Sequence, residues 1–213
     1  MKFVVFDTGT GGKLFAKELR GAFPQQEVVE VIDTANSPYG NKSAEEIREL
    51  TEGALRGFLQ GTEAVVIILA CNTATAVCAD YLRTKYPHRI IVGFEPMLKP
   101  AADLTKTGKV IVLATEATKR SERYSRLRQE YGGGMDIYEP DCNGWAAKID
   151  AGTMQAEDAR GALVPYLELG ADVIVLACTH YVALEEAIRG FAVNAMVIDP
   201  FDAVIEHIKK DIL

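Results

Sequence analysis

Val66-Ile67-Ile68-Leu69-Ala70-Cys71-Asn72-Thr73-Ala74 is an apolar run that stops on a cysteine and passes at once into small polar residues and a helix-forming segment. An unbroken apolar strand of this kind is buried on both faces, as in a parallel sheet. The same phrase returns as Val173-Ile174-Val175-Leu176-Ala177-Cys178-Thr179-His180, with the two cysteines 107 positions apart in a chain of 213 residues. That offset also carries Lys2 to Lys109, Thr8 to Thr115, Asn36 to Asn143, Ala64 to Ala171 and Val66 to Val173. Chance identities would scatter over many offsets. The pattern therefore reads as an internal duplication, with two similar halves that each place one thiol at the same structural address.

Working outward from these runs, the chain alternates strand and helix patterns. Lys2 to Phe6, Val28 to Asp33 and Ile90 to Phe94 read as further strands of the first half. Val110 to Ala114, Met135 to Tyr138 and Ala195 to Ile198 read as those of the second. Helices are expected over Lys13 to Ala22, from a capping box at Ser43 with Glu46 to about Gln60, and over Thr73 to Tyr86. In the second half they are expected over Lys119 to Tyr131, Ala156 to Leu169, Val182 to Phe191 and Phe201 to Lys210, with Pro165 kinking or interrupting its helix. Such alternation defines an α/β protein. The expected architecture is two similar parallel-sheet α/β domains related by a pseudo-twofold, with the active site in the cleft between them. Residues 1–96 plus 200–213 would form the first domain and residues 97–199 the second.

Composition narrows the function. A hydrophobic content of 48% with 25% charged residues is ordinary for a soluble globular chain. The net charge of −7, with no Lys/Arg cluster, argues against a nucleic-acid surface. The longest apolar run, Ala64 to Cys71, is far too short for a bilayer span. Asp7 interrupts the N-terminal apolar residues before a signal-peptide core develops, so a cytoplasmic location is expected. Cysteines 71, 78, 142 and 178 show no CxxC spacing, and no pair of candidate ligands has metal-site spacing, so neither a disulfide framework nor a metal centre is expected. Gly9-Thr10-Gly11-Gly12-Lys13 fails both nucleotide-loop patterns, because Asp7 and Leu14 stand where glycines are required. Its glycines are read instead as permitting a tight turn against a substrate.

In open parallel sheets, ligands bind beyond the carboxyl ends of the strands. That rule selects Asp7-Thr8, the Asp33 to Gly40 loop, Cys71-Asn72-Thr73, Thr115 to Thr118, Cys142 to Asp150 and Cys178-Thr179-His180. Each strand-end cysteine precedes an expected helix N-terminus, where unpaired N–H groups and the helix dipole favour a thiolate. Asn72, Thr73 and Thr179 are read as capping residues able to hold a carboxylate. Two thiols approaching a trapped ligand that bears carboxylates from opposite sides suit stereoinversion, one removing an α-proton and the other returning one. Asp7 and His180 would keep each thiol in its working protonation state. Cys78 is read as structural. His88 and His207 are read as surface residues, Cys142 is undecided, and Trp145 is either a core aromatic or a pocket wall.

Asp7-Thr8-Gly9-Thr10-Gly11-Gly12, Ser37-Pro38-Tyr39-Gly40-Asn41-Lys42-Ser43, Ala70-Cys71-Asn72-Thr73-Ala74 and Ala177-Cys178-Thr179-His180-Tyr181, in this order, resemble the motifs of the glutamate racemases of the aspartate/glutamate racemase family. The resemblance extends over essentially the whole chain. It implies racemisation of glutamate by two cysteine bases, without a cofactor or metal, supplying D-glutamate for peptidoglycan. By position it implies Cys71 and Cys178 as the bases, assisted by Asp7, His180 and Asp150. Thr8, Tyr39, Gly40, Asn72, Thr73, Thr115, Thr118 and Thr179 would bind the amino-acid substrate. A homodimer is likewise implied by the resemblance alone. The sequence departs from the family pattern at Thr8, where serine is usual, and at Asp150, where glutamate is usual. Relatives also run on some tens of residues beyond the position of Leu213. These departures leave two other readings: a racemase of aspartate or another amino acid, and a non-catalytic relative that binds an acidic metabolite or a protein partner.

Overall fold

The computed structural model describes residues 1–213, which divide into two compact units, Met1–Glu95 with Phe201–Leu213 and Pro96–Pro200. In the first unit β1 (Lys2–Asp7), α1 (Thr10–Ala22), β2 (Glu27–Ile32), α2 (Ala44–Gln60), β3 (Val65–Leu69), α3 (Asn72–Lys85) and β4 (Ile90–Gly93) succeed one another in order. The strands form a parallel sheet in the order β2-β1-β3-β4. The second unit contains α4 (Leu98–Leu104), β5 (Lys109–Ala114), α5 (Glu116–Lys119), α6 (Glu122–Tyr131), β6 (Asp136–Tyr138), α7 (Trp145–Asp150), α8 (Ala156–Glu168), β7 (Val173–Ala177), α9 (Glu185–Phe191) and β8 (Met196–Ile198). Its parallel sheet has the matching order β6-β5-β7-β8. Two α/β units of one topology are what the duplicated sequence requires. No helix is long and apolar enough to cross a membrane.

The two strands that lead to the cysteines, β3 and β7, lie inside their sheets and are buried at every residue. That is why their sequences carry no alternation. After β8 the chain returns to the first unit as α10 (Phe201–Asp211). Phe201 packs there against Phe15 of α1 and Phe94 after β4, with ring centroids 5.2 and 5.7 Å away.

Three of the four sheet edges are closed by one recurring device. An arginine in the last turn of a helix donates to the carbonyl eight residues on, in the following edge strand. Arg20 of α1 reaches Val28 O of β2 at 3.2 Å, and Arg83 of α3 reaches Ile91 O of β4 at 3.1 and 3.0 Å. Arg189 of α9 reaches Val197 O of β8 at 2.8 Å. Glu30, Asp80 and Glu185 hold the three guanidinium groups in turn. An edge carbonyl taken by a guanidinium is no longer a template for another strand. At β6 the corresponding arginine, Arg128, pairs with the Glu139 carboxylate instead.

Several local expectations are corrected. Residues 98–104, for which no helix is expected, form α4, and Pro100 is tolerated in its first turn, where no intrahelical N–H is needed. The helix expected over 119–131 is two, α5 and α6, separated where Ser121 accepts from Tyr124 N and begins a new cap. α8 runs through Pro165 without a break. The proline lies in its last turns, and the carbonyl four residues back belongs to Gly161. Ser43 caps α2 by accepting from Glu46 N, but the Glu46 carboxylate turns to Lys42 Nζ rather than back to the cap. Residues 145–150, for which no helix is expected, form α7.

Candidate active site

In the first unit, the candidate residues gather at the carboxyl ends of β1 and β3. Asp7 ends β1 with its side chain fully buried, and Oδ1 accepts the Thr8 N–H at 2.8 Å. α1 begins immediately afterwards, and its second glycine explains how it can. A Cβ on Gly12 would lie 2.2 Å from Asp7 Cβ and 2.8 Å from Oδ2. Gly12 thus lets the helix start against the Asp7 carboxylate. Thr8 is buried beside it.

Cys71 is held by the end of the same sheet, its N–H donating to Phe6 O at 3.3 Å. It is 5% exposed and is itself the N-cap of α3, its Sγ accepting from Ala74 N at 3.5 Å. The capping expected of Asn72 and Thr73 is corrected here. Those residues are the first two of the helix, and the thiol takes the capping place. Asn72 donates Nδ2 to Phe94 O at 3.4 Å, while its buried Oδ1 has no hydrogen-bond partner. A buried acceptor without a donor is uncommon in folded proteins. Behind these groups Thr75 Oγ1 donates to Leu69 O at 2.7 Å and accepts from Phe94 N at 3.1 Å, tying α3 to the ends of β3 and β4.

The loop after β2 brings Tyr39 and Gly40 into buried positions on a 3₁₀ turn, Tyr39–Asn41. The Tyr39 hydroxyl donates to Asp33 Oδ2 at 2.6 Å, and Asn36 Nδ2 donates to the same carboxylate at 2.9 and 3.0 Å. Burial, and then the Asp33 carboxylate, hold the Tyr39 phenol well above the ordinary tyrosine range. Sequence pattern places Asp33 only as the start of the loop. Its role as anchor depends on side chains meeting across three and six residues of irregular chain.

In the second unit, Thr115 and Thr118 lie just past β5. Thr115 caps α5, accepting from Thr118 N at 3.3 Å, and the two hydroxyls are 3.0 Å apart. Cys178 comes directly after β7 and is 6% exposed. It does not precede an α-helix as expected, since residues Thr179–Leu184 form a 3₁₀ segment and the thiol caps nothing. Instead Cys178 Sγ lies 3.9 Å from His180 Nδ1, and His180 Nε2 lies 3.0 Å from Asp150 Oδ2. A carboxylate can only accept, so the Nε2–H donates to Asp150 and Nδ1 is left facing the thiol. The arrangement is a thiol, an imidazole able to exchange its proton, and a carboxylate that orients the imidazole. Thr179 and His180 are both buried.

Asp150 reaches His180 because it ends α7, the short helix that no sequence signal marks. Trp145 begins that helix and is a core residue, packed edge-on against Tyr181 with ring centroids 5.6 Å apart. Cys78 and Cys142 are structural. Their thiols contact Ile47 O and Pro140 O, and burial pushes them up to about 11 and about 12 respectively. No group of three or more His, Cys, Asp or Glu side chains is placed to hold a metal ion.

These observations agree with the likeness of the chain to known proteins. The profile of the Asp/Glu/Hydantoin racemase family matches residues 13–208. A glutamate racemase of Pseudomonas aeruginosa is 38% identical over 211 residues, covering 97% of this chain and 79% of its own length. One from Herpetosiphon aurantiacus is 39% identical, covering 97% and 82%. The crystal structure of Escherichia coli glutamate racemase, with L-glutamate and the activator UDP-MurNAc-ala, superposes with a TM-score of 0.86 at 27% identity. That match covers 98% of this chain and 80% of the other. The chain belongs to the Asp/Glu/hydantoin racemase family and is an isomerase.

Proposed function

We propose that this protein interconverts L- and D-glutamate without a cofactor, using Cys71 and Cys178 as a pair of acid–base groups. The thiolate of one cysteine takes the α-proton, the electron pair stays on the α-carbon, and the thiol of the other delivers a proton to the opposite face. No net electron or atom is gained. The observation that carries this reading is the Cys178–His180–Asp150 alignment, which gives one thiol a proton acceptor at Nδ1. Cys71 is supported differently, by the N-terminus of α3, whose N–H groups favour negative charge. Its local assistant would be Asp7. Thr8, Tyr39, Gly40, Asn72, Thr73, Thr115, Thr118 and Thr179 would hold the substrate. The partnerless Asn72 Oδ1 would accept from the substrate ammonium.

Glutamate is the substrate of the curated relatives at 38–39% identity. The shorter Asp150 gives no reason to prefer another substrate, since its carboxylate reaches His180 at 3.0 Å. In a bacterial cell the product would supply D-glutamate to peptidoglycan synthesis in the cytoplasm, and the active form would be a homodimer.

The test is α-hydrogen exchange. In deuterated water, L-glutamate should lose its optical rotation and gain one α-deuterium with no added cofactor. Cys71→Ala and Cys178→Ala should each lower racemisation by about 10²- to 10⁴-fold, the range for loss of a general acid–base group. Each variant should retain exchange on one enantiomer at most. Folded, reduced protein that exchanges no α-hydrogen of glutamate refutes the proposal, and a fully active single variant refutes the two-thiol assignment.

A further inference from the structure

Asp150 stands at the end of a six-residue helix reached through the irregular segment from Pro140 to Gly144, so something outside that segment must fix it. Lys148, on the helix, pairs with Asp158 of α8 at 3.5 Å, and its carbonyl accepts from Thr153 N at 2.8 Å. Two attachments at the ends of the helix come from the 3₁₀ turn after Cys178. One is the Asp150–His180 bond itself. The other is made by the next residue: Tyr181 donates its hydroxyl to Cys142 O at 3.2 Å, in the buried interior of the unit. Cys142 O also accepts from Trp145 N at 3.1 Å, and the Trp145 ring packs edge-on against that of Tyr181. α7 is therefore pinned at its first residue by Tyr181 and its partners, and at its last by His180. Six helical residues span only about 9 Å. A shift of the pinned end is carried to the Asp150 carboxylate with little loss.

We propose that Tyr181 is a positioning residue, whose hydroxyl sets the distance between Asp150 and His180 and through it the orientation of His180 toward Cys178. This rests on the reading of Cys178, His180 and Asp150 as one acid–base group. Tyr181 can keep its proton throughout. Burial first, then Cys178, Cys142, Asp141 and Glu116, push its phenol far above the ordinary range. Lys119 acts on the neighbouring Cys142 thiol in the opposite sense. Tyr181 touches none of the reacting atoms in this scheme, and its effect passes through the backbone of residues 142–150.

Tyr181→Phe removes the hydroxyl and keeps the ring packing, and Cys142 O retains the Trp145 N–H, so the variant keeps its core. Tyr181→Phe, Asp150→Asn and the double variant are compared for glutamate racemisation across pH, with a melting temperature for each. Misplacing a reacting group by about 1 Å costs up to about 10²-fold. Tyr181→Phe is expected to lose roughly tenfold in kcat at unchanged KM, the pattern of an interaction not made with bound substrate. Its pH profile should move in the same sense as that of Asp150→Asn, and the double variant should be no slower than Asp150→Asn alone. A Tyr181→Phe enzyme with the parent kcat and pH profile, beside an impaired Asp150→Asn, overturns the positioning role and leaves the acid–base reading standing. So do additive losses, or a lowered melting temperature with an unmoved pH profile. If Asp150→Asn is itself indistinguishable from the parent, the acid–base reading fails and takes the role of Tyr181 with it.

Discussion

Replacing Gly12 by alanine isolates the contact on which the position of Asp7 depends. The added Cβ would stand 2.2 Å from Asp7 Cβ, 2.9 Å from Cγ and 2.8 Å from Oδ2. Carbon atoms in contact sit about 3.5–4.0 Å apart, so α1 and the end of β1 would have to separate by more than about 1 Å. Overpacking of this kind costs about 1–3 kcal/mol, while the better helix propensity of alanine returns about 1 kcal/mol at most. A 2.2 Å clash belongs in the upper half of that range, about 2–3 kcal/mol, so the net expectation is a loss of about 1–2 kcal/mol. The same displacement would carry the Asp7 carboxylate out of place, with a rate loss of up to about 10²-fold if Asp7 assists catalysis. Gly21, near the other end of the same helix, is the control. A Cβ there meets nothing within 4 Å, and Gly21→Ala should gain about 0.5–1 kcal/mol. Urea unfolding gives the stabilities, and racemisation of glutamate gives the rates. Gly12→Ala with the stability and activity of the parent would refute the close approach, as would shifts of the same sign in the two variants.

Two further expectations concern the faces away from the strand ends. Glu52 of α2 accepts from Tyr81 and Tyr86 hydroxyls at 2.6 Å each and from Lys85 Nζ at 2.7 Å, which holds its carboxyl down to about 2, Lys85 contributing most. Its stabilisation is therefore complete above about pH 4.5 and is lost as pH falls toward 2; allowing for solvent screening of the partly exposed pair, it amounts to about 1–2 kcal/mol. Glu52→Gln should flatten the stability profile across that window in urea unfolding, and an unchanged slope would contradict the role of the carboxylate. Arg83→Ala with Arg189→Ala should cost about 0.5–1.5 kcal/mol for each arginine and leave two sheet edges open. Light scattering should then show concentration-dependent association, and a double variant that stays monodisperse under conditions in which the parent does would argue that the arginines act only as local latches.

The parts of the fold that can be read in advance are those with a long or repeated signal. β3 and β7 announce themselves as unbroken apolar runs, and one offset relates the halves. The short helices do not. α4, α5 and α7 span four to seven residues, too few for the helical period to show, and the prolines at α4 and the glycines flanking α7 imitate loops. Without α7, Asp150 can be placed only by resemblance. Its partner His180 lies 30 residues further on, with β7 between them, and no spacing rule connects the two. The arginine device on the sheet edges is equally hidden. Arg20, Arg83 and Arg189 look like ordinary basic residues in last turns until the strand order shows which carbonyls point outward.

By itself the sequence determined the two parallel α/β units and the placement of one thiol at the end of each central strand. A continuous apolar strand has only one stable place, inside a sheet covered on both faces, and the residues next after it must emerge at the carboxyl end. The tertiary structure alone decided how each thiol is held. The same phrase of residues leads to an α-helix capped by Cys71 in one unit, and in the other to a 3₁₀ turn that sets His180 beside Cys178. In the second unit His180 meets Asp150, and Tyr181 meets Cys142 O and Trp145, across tens of residues, where no local pattern records them.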